Sequence, residues 1–388
     1  MAHRNTYDVV IVGAGPAGSS AAYELARQGV SVALVEKASM PRYKTCGGGI
    51  VSRALKLVPF DVSEAIEREC NVAELNLADA GLHFSVERSY PLVSMTMREN
   101  FDLLLFRAAA RAGAHTMDGC RVLDVAPHNG RMEVVTDRDS LLCRFVVGAD
   151  GGQSVVARKG GWHDRLRLIP LVEWEISVKG KLFDAFCASA RFEFGPVPAG
   201  YAWIFPKKQH LSVGLGGFGP ERLNLKARLQ RFLHTAGIGA AERIEQHGHY
   251  LPVNVRRAGF VKDRILLAGD AAGFVDQVTG EGITYALLSG QGAARALIKG
   301  GFRSEAVEAA YASELAEGVL SELRWGRLLG ALLYRSARVR TLLFRQYGRQ
   351  LTEAFADIIT GEKSYASMCR KHLGLRRFFR LAKALGWR

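Results

Sequence analysis

"YDVVIVGAGPAGSSAAYELARQGVSVALVEK", residues 7–37, reads as strand, glycine-rich turn, helix and second strand. Val9 to Val12 form a short apolar run, Gly13, Gly15 and Gly18 hold the positions of a G-x-G-x-x-G turn, and an alanine-rich helix follows. Val32 to Val35 then make a second apolar run that ends at Glu36. The three glycines differ in what they allow. Gly13 lets the chain turn, Gly15 leaves room for a pyrophosphate at the helix N-terminus, and Gly18 lets helix and strand pack closely. Glu36, 18 residues beyond Gly18, stands where an acid accepts hydrogen bonds from a ribose. The spacing predicts a Rossmann-like dinucleotide-binding unit.

The same spelling recurs in "SVGLGGFGPE" at Gly214, Gly216 and Gly219, but Pro220 follows and no second strand ends in an acid at the right distance. That copy reads as a strand end and a turn.

At 388 residues, 48% hydrophobic and with mean hydropathy +0.02, the chain suits two closely packed domains with a sizeable core. No apolar run approaches the roughly 18 residues of a membrane span, and the first residues carry no signal-peptide pattern, so a cytoplasmic enzyme is expected. Six scattered cysteines (46, 70, 120, 143, 187 and 369) show no metal-like spacing. They argue for a reducing compartment, without disulfides, zinc or iron-sulfur clusters.

Two further segments decide which dinucleotide is bound. "FVVGADGGQSVVARK" (145–159) is a buried strand ending in a glycine-rich turn, and "DRILLAGDAAGFVDQVTGEGITYALLSGQGAARAL" (263–297) is another, followed by a long helix of small residues. In this order and spacing the three segments resemble the glutathione-reductase-type flavoproteins related to aromatic hydroxylases. The resemblance implies FAD, with Asp270 at its ribityl and pyrophosphate region and Gly282 and Ile283 beside the isoalloxazine. A helix N-terminus there favours the anionic reduced flavin. Arg98, in "MTMRENFDLLLFRAAARAGA" (95–114), matches an arginine that such proteins hold near FAD.

"PRYKTCGGGI" (41–50) puts Cys46 before three consecutive glycines, where the FAD fold sends a loop across the flavin. Glycines there would let backbone lie against a flat ring, placing Cys46, Gly47 and Gly49 at the cofactor. Within the flavoproteins this loop resembles the K-x-C-G-G segment of the geranylgeranyl reductase family. "GYAWIFPKKQHLSVGLGG" (200–217) resembles that family's Y-x-W-x-F-P-K stretch, and "ITGEKSY" (359–365) is a fainter match. The period-two alternation of Tyr201, Trp203 and Phe205 belongs on a strand, either packed on the core or lining an apolar pocket for a prenyl chain. Related halogenases carry W-x-W-x-I-P there, and this chain departs from it at two positions.

The resemblance implies reduction of isolated double bonds in an isoprenoid chain. Such an alkene has no carbonyl to hold developing charge, so a nearby acid in a water-poor pocket is required. Cys46 is the positional candidate, as acid or as a group tuning the flavin, against the plainer reading of a small residue tolerated by packing. Lys44 and Lys207 are candidates to meet a diphosphate head group, or are solvated lysines. FAD claims the one dinucleotide unit, leaving NADPH bound transiently, or a docked small redox protein, as electron donor. An FAD-dependent hydroxylase is the alternative, and a non-enzymatic prenyl-lipid carrier a further one.

The expected fold is α/β plus α+β: an FAD-binding domain over 1–58, 97–165 and 258–300, an antiparallel-sheet substrate domain over 59–96 and 166–257, and a helical region over 301–388. From Ser321 to Arg388 the chain carries 15 Lys/Arg against 4 Asp/Glu, +11 of its total +14. "LRWGRLLGALLYRSARVRTLLFRQYGRQL" (323–351) and "KHLGLRRFFRLAKALGWR" (371–388) are basic and amphipathic, either capping the substrate domain or lying peripherally on the inner face of an anionic membrane. No nucleic-acid module is present.

Overall fold

Buried on both faces, the runs Val9–Val12, Val32–Val35 and Phe145–Gly148 have no polar side to offer water, the pattern of central parallel strands. In the computed structural model, which describes residues 5–219, 223–239 and 243–371, they form the middle of an eight-stranded sheet. Its order is Val261–Lys262, Ile265–Leu267, Ser140–Gly148, Thr6–Val12, Val32–Val35 and His115–Met117, with the hairpin Val122–Thr136 added to Ser140–Gly148. The helices Pro16–Ala26 and Ile283–Lys299 cross where a Cβ on Gly290 would sit 2.1 Å from the Ala17 carbonyl oxygen. Only glycine permits that approach.

The second sheet has seven strands in the order Arg243–Pro252, Leu168–Ser177, Leu211–Gly217, Gly200–Pro206, Ser189–Phe194, Val72–Leu77 and Leu82–Glu87. All its pairings are antiparallel except Ser189–Phe194 with Val72–Leu77. One face, with Trp174, Val213 and Ile204, packs under the helix Leu225–Thr235. The other carries Glu173, Gly214 and Trp203 side by side in register, and continues through Phe192 to Leu75. A third, three-stranded sheet joins Gly49–Val51, Val93–Thr96 and Ile66–Cys70.

The expected mixture of a Rossmann-like sheet, an antiparallel sheet and C-terminal helices is therefore present. The helices are Ser304–Leu315, Ser321–Arg335, Ala337–Thr360 and Tyr365–Lys371. Ala337–Thr360 is kinked at Tyr347, next to Gly348, where a Cβ would be 2.1 Å from the Phe84 ring. Among the described residues no helix is long and apolar enough to cross a membrane, and no cluster of His, Cys, Asp and Glu could hold a metal. The second basic segment, 371–388, lies outside the described residues except for its first. "SVGLGG" is the strand end expected of it, Leu211–Gly217 stopping at Gly217, with Gly214 mid-strand, paired with Glu173 on one side and Trp203 on the other. The Trp203 indole lies across it, where a Cβ would be 2.1 Å from the ring.

Candidate active site

The glycine-rich turn behaves as its spacing demands. Gly13 has φ +99°, and a Cβ there would sit 2.4 Å from the Ala149 carbonyl oxygen; a Cβ on Gly18 would sit 1.8 Å from the Gly13 oxygen. Gly15, at the N-cap of Pro16–Ala26, is different: its Cβ would approach only Arg42 Nη2, at 3.8 Å. The space before the helix N-terminus is thus left open by the protein, which fits a pyrophosphate. Glu36 is buried at the end of its strand, its carboxylate accepting from Ala14 N (2.9 Å) and Ala38 N (3.1 Å). A carboxylate has about four acceptor positions, so capacity for a ribose hydroxyl remains.

From Glu36 a line of charges leads inward. Arg42 lies 3.5 Å from Glu36 and 3.1 Å from Asp102, and Asp102 accepts two hydrogen bonds from Arg98 at 2.8 and 2.9 Å. Burial opposes the Arg98 charge, but Asp102 and then the neighbouring Cys46 more than offset it, so its pKa is raised. Asp270 is half-buried, and its carboxylate has no hydrogen-bond partner among the described residues. Burial raises its pKa against the pull of Lys44 and Arg98. A Cβ on Gly282 would touch Asp270 Oδ1 at 3.3 Å, so Asp270, Gly282 and Ile283 meet at the start of Ile283–Lys299. These donors and acceptors fit FAD.

The three glycines after Cys46 have protein partners. A Cβ on Gly47 would be 2.8 Å from Trp203 Nε1; on Gly49, 3.0 Å from Val93 and 3.1 Å from the Phe205 ring. On Gly48, at φ +63°, it would be 2.1 Å from the Thr96 oxygen and 2.4 Å from Lys207 Nζ. The flat rings lying close to this loop are Trp203 and Phe205. Lys207 does not serve as a solvated or head-group lysine: it is fully buried and donates to Gly47 O (2.7 Å) and Thr96 O (2.8 Å). Lys44 donates to His249 Nε2 (2.9 Å). Burial, with the Arg98 charge, lowers its pKa, while burial and Lys44 hold His249 down to about 4, leaving the imidazole neutral.

Tyr201, Trp203 and Phe205 share one face of Gly200–Pro206, as the alternation predicts. Trp203 and Phe205 are buried, and Phe192 meets both Phe205 and Phe355 edge-on at 5.3 and 5.1 Å between centroids. The Tyr201 hydroxyl donates to Thr279 O, in the loop leading to Gly282. "ITGEKSY" reaches the same loop: Tyr365 donates to buried Asp276 at 2.7 Å. Tyr334 binds Val278 O (2.5 Å), and Arg53 pairs with Glu281 (3.1 Å).

Several of these residues were missed in the sequence. Arg42 and Asp102 carried only the signal of being charged beside a fingerprint. Glu173 carried less: with Glu175 it makes an i, i+2 acidic pair on a strand, which reads as a solvated face. In the fold the loop carrying Tyr43 and Cys46 covers it. Glu173 is fully buried, accepting from Cys46 N at 2.7 Å and from the Ser212 hydroxyl at 2.5 Å.

Comparison with known proteins agrees with this chemistry. The family model described as "FAD binding domain" matches residues 6–300. A digeranylgeranylglycerophospholipid reductase of Methanothermobacter thermautotrophicus is 31% identical over 87% of this chain and 88% of its own length. A geranylgeranyl diphosphate reductase of Rhodobacter capsulatus is 30% identical, covering 75% and 74%. Among solved structures, a geranylgeranyl bacteriochlorophyll reductase-like protein of Thermoplasma acidophilum superposes with a TM-score of 0.79 over 96% of this chain and 99% of that one, at 23% identity.

Proposed function

Because the chain belongs to the geranylgeranyl reductase family of FAD-dependent oxidoreductases, we propose that it saturates carbon-carbon double bonds of an isoprenoid chain carried on a diphosphate or a lipid. One observation carries the reading furthest: the aromatic face of Gly200–Pro206 lies directly against the Cys46–Gly49 loop, with Arg98 beside the Cys46 sulfur. An apolar wall and a polarisable thiol then share one place.

Reduced FAD, when bound, supplies hydride to one alkene carbon. The residues that would hold it are Gly13, Gly15 and Gly18 at the pyrophosphate, Glu36 at the ribose, and Arg98, Asp270, Gly282 and Ile283 along the ribityl chain and ring, with Gly47 and Gly49 shaping the loop beside it. The second alkene carbon needs a proton, and we assign its delivery to Cys46 Sγ. Tyr201, Trp203 and Phe205 orient the chain and exclude water, which keeps the proton from exchanging with solvent. Lys44, already beside an imidazole that stays neutral, is the cation available to an anionic head group.

The discontinuous FAD-binding unit takes the eight-stranded sheet and the substrate unit the seven-stranded one, with the helices after 301 covering the latter. On those helices Leu328, Leu342 and Tyr347 are exposed among arginines, and we place the lipid-facing surface there. Electrons enter from NADPH or a reduced small redox protein.

The test is anaerobic. The FAD-loaded protein is reduced with dithionite and mixed with geranylgeranyl diphosphate or with vesicles of a geranylgeranylated phospholipid. Flavin reoxidation without oxygen, with products gaining pairs of hydrogens, supports the reading. A flavin that stays reduced until air is admitted, with a product gaining one oxygen, replaces it with hydroxylation. Cys46→Ser should keep FAD and slow reoxidation by substrate; unchanged turnover removes Cys46 from the chemistry.

A further inference from the structure

Behind the Cys46 loop sits a carboxyl group that the reaction as described does not use. Glu173 Oε2 accepts the Cys46 N–H at 2.7 Å, and Oε1 accepts the Ser212 hydroxyl, which in turn lies 3.4 Å from Trp203 Nε1. One carboxylate therefore ties the backbone of Cys46 to the aromatic strand. Glu173 itself is fully buried, while Cys46 on the covering loop is half-buried and reachable from solvent.

The groups facing it come from every neighbouring element. Glu175 lies two residues on along the same strand and pairs with His210 at 2.9 Å; His247 is opposite Glu173 on Arg243–Pro252. Tyr43, stacked on His247 with centroids 4.1 Å apart, and Cys46 come from the covering loop, and Lys207 from the turn after the aromatic strand. We propose that Glu173 is a positioning residue for Cys46 whose charge, beyond its shape, sets how readily the Cys46 sulfur reacts.

Burial first, and then the negative charge of Glu175, push the Glu173 carboxyl up to about 7, against the pull of the Ser212 hydrogen bond, Lys207 and the Cys46 N–H. The group thus changes charge across neutral pH. Arg98, beside the Cys46 sulfur, favours a negative charge there at every pH, so the change with pH comes from Glu173: ionised, it opposes that charge; neutral, it does not. Both states keep an oxygen for the Cys46 N–H, so the loop stays in place while its electrostatics change. A catalytic consequence rests on the reading of Cys46 as proton donor: the charge on Glu173 would then change the rate of that transfer.

The experiment needs no substrate. Alkylation of Cys46 by iodoacetamide in the FAD-loaded protein is followed by peptide mass spectrometry from about pH 5.5 to about pH 8.5, in wild type and Glu173→Gln. Glutamine copies the neutral acid: its oxygen accepts from Cys46 N and its amide donates to Ser212. The ratio of variant to wild-type rate should be near one at the acid end and rise to about fivefold at the alkaline end, with its midpoint near 7. A ratio that is flat across pH, at one or at any other value, overturns the proposal, because a role in shape alone has no midpoint. Ser212→Ala is the second variant. It removes a hydrogen bond that favours the ionised form, so the wild-type inflection should move to higher pH, and an unmoved inflection assigns the titration to another group. Failure of alkene reduction with an intact alkylation midpoint would sink the proposed activity and leave this inference standing; the converse result would do the reverse.

Discussion

Two glycine-rich loops, Gly13–Gly18 and Gly47–Gly49, lie in one chain and use the same residue type against different partners. In the first, Gly13 and Gly18 make room for neighbouring backbone and Gly15 makes room for a ligand. In the second, all three make room for protein side chains or carbonyls: Trp203, Phe205, Val93, Lys207 and Thr96. A run of glycines announces a close approach. It does not say what approaches.

The largest expected effect comes from closing the first loop. Gly18→Ala puts a Cβ 1.8 Å from a carbonyl oxygen of the turn itself, and backbone cannot swing aside as a side chain can. Purified protein should be colourless, with stability lowered by about 3 kcal/mol or more in denaturant titration. A yellow, normally stable variant would show that the helix can slide away from the strand.

Gly48→Ala strikes the second loop. It meets a left-handed φ of +63°, the Thr96 oxygen at 2.1 Å and the Lys207 ammonium at 2.4 Å. We expect a loss of about 2 kcal/mol from strain and from the displaced Lys207 hydrogen bonds, with FAD retained in the visible spectrum. Loss of FAD with little loss of stability would show that the flavin, beyond the protein's own packing, requires glycine at this position of the loop.

That contrast explains what was legible. The turn at 13–18, the strands Thr6–Val12 and Val32–Val35 and the Glu36–Ala14 bond all fall within one strand-turn-helix-strand span, so spacing reports their geometry directly; the Ala149 carbonyl that Gly13 makes room for comes from far along the chain. The aromatic strand was legible as a strand for the same reason, since alternation is local. Its partner was not: Lys207 and Gly47 are 160 residues apart, and Glu173 and Cys46 are 127 apart. An acid at alternate strand positions looks solvated until a distant loop covers it. The basic tail shows the same limit, because Arg340, one of seven arginines in a segment read as a charged face, is buried and donates to Pro198 O at 3.2 Å.

Glu173 gives a prediction in pH. Its folded pKa of about 7 lies above the ordinary 4.5, so the folded protein holds this proton more tightly than the unfolded chain does. The stability that the group contributes is present at and below about pH 4.5 and is lost as pH rises towards about 7. Glutamine does not titrate. Glu173→Gln should therefore gain about 1 to 3 kcal/mol on wild type between the acid and the alkaline side of that window. A stability difference that is constant with pH would show that the carboxyl ionises at its ordinary value inside the fold.

The smallest change in stability is expected at Gly15, and it sharpens the comparison most. Its φ is −76°, which any residue adopts, and the nearest atom to an added Cβ is a flexible arginine terminus at 3.8 Å. Side-chain packing therefore gives no reason for glycine here; beyond the modest preference of an N-cap, a bound group in the open space before the helix does. In FAD-free protein Gly15→Ala should lower stability by no more than about 1 kcal/mol, the scale of glycine against alanine at an N-cap. In the same variant FAD affinity should fall about tenfold, since a methyl group would stand where backbone must meet pyrophosphate. Measuring both quantities on one protein separates the ligand's demand for glycine from the fold's. Unaltered FAD affinity would mean that the pyrophosphate sits away from Gly15, and the first loop's glycines would then answer only to the close packing at Gly13 and Gly18.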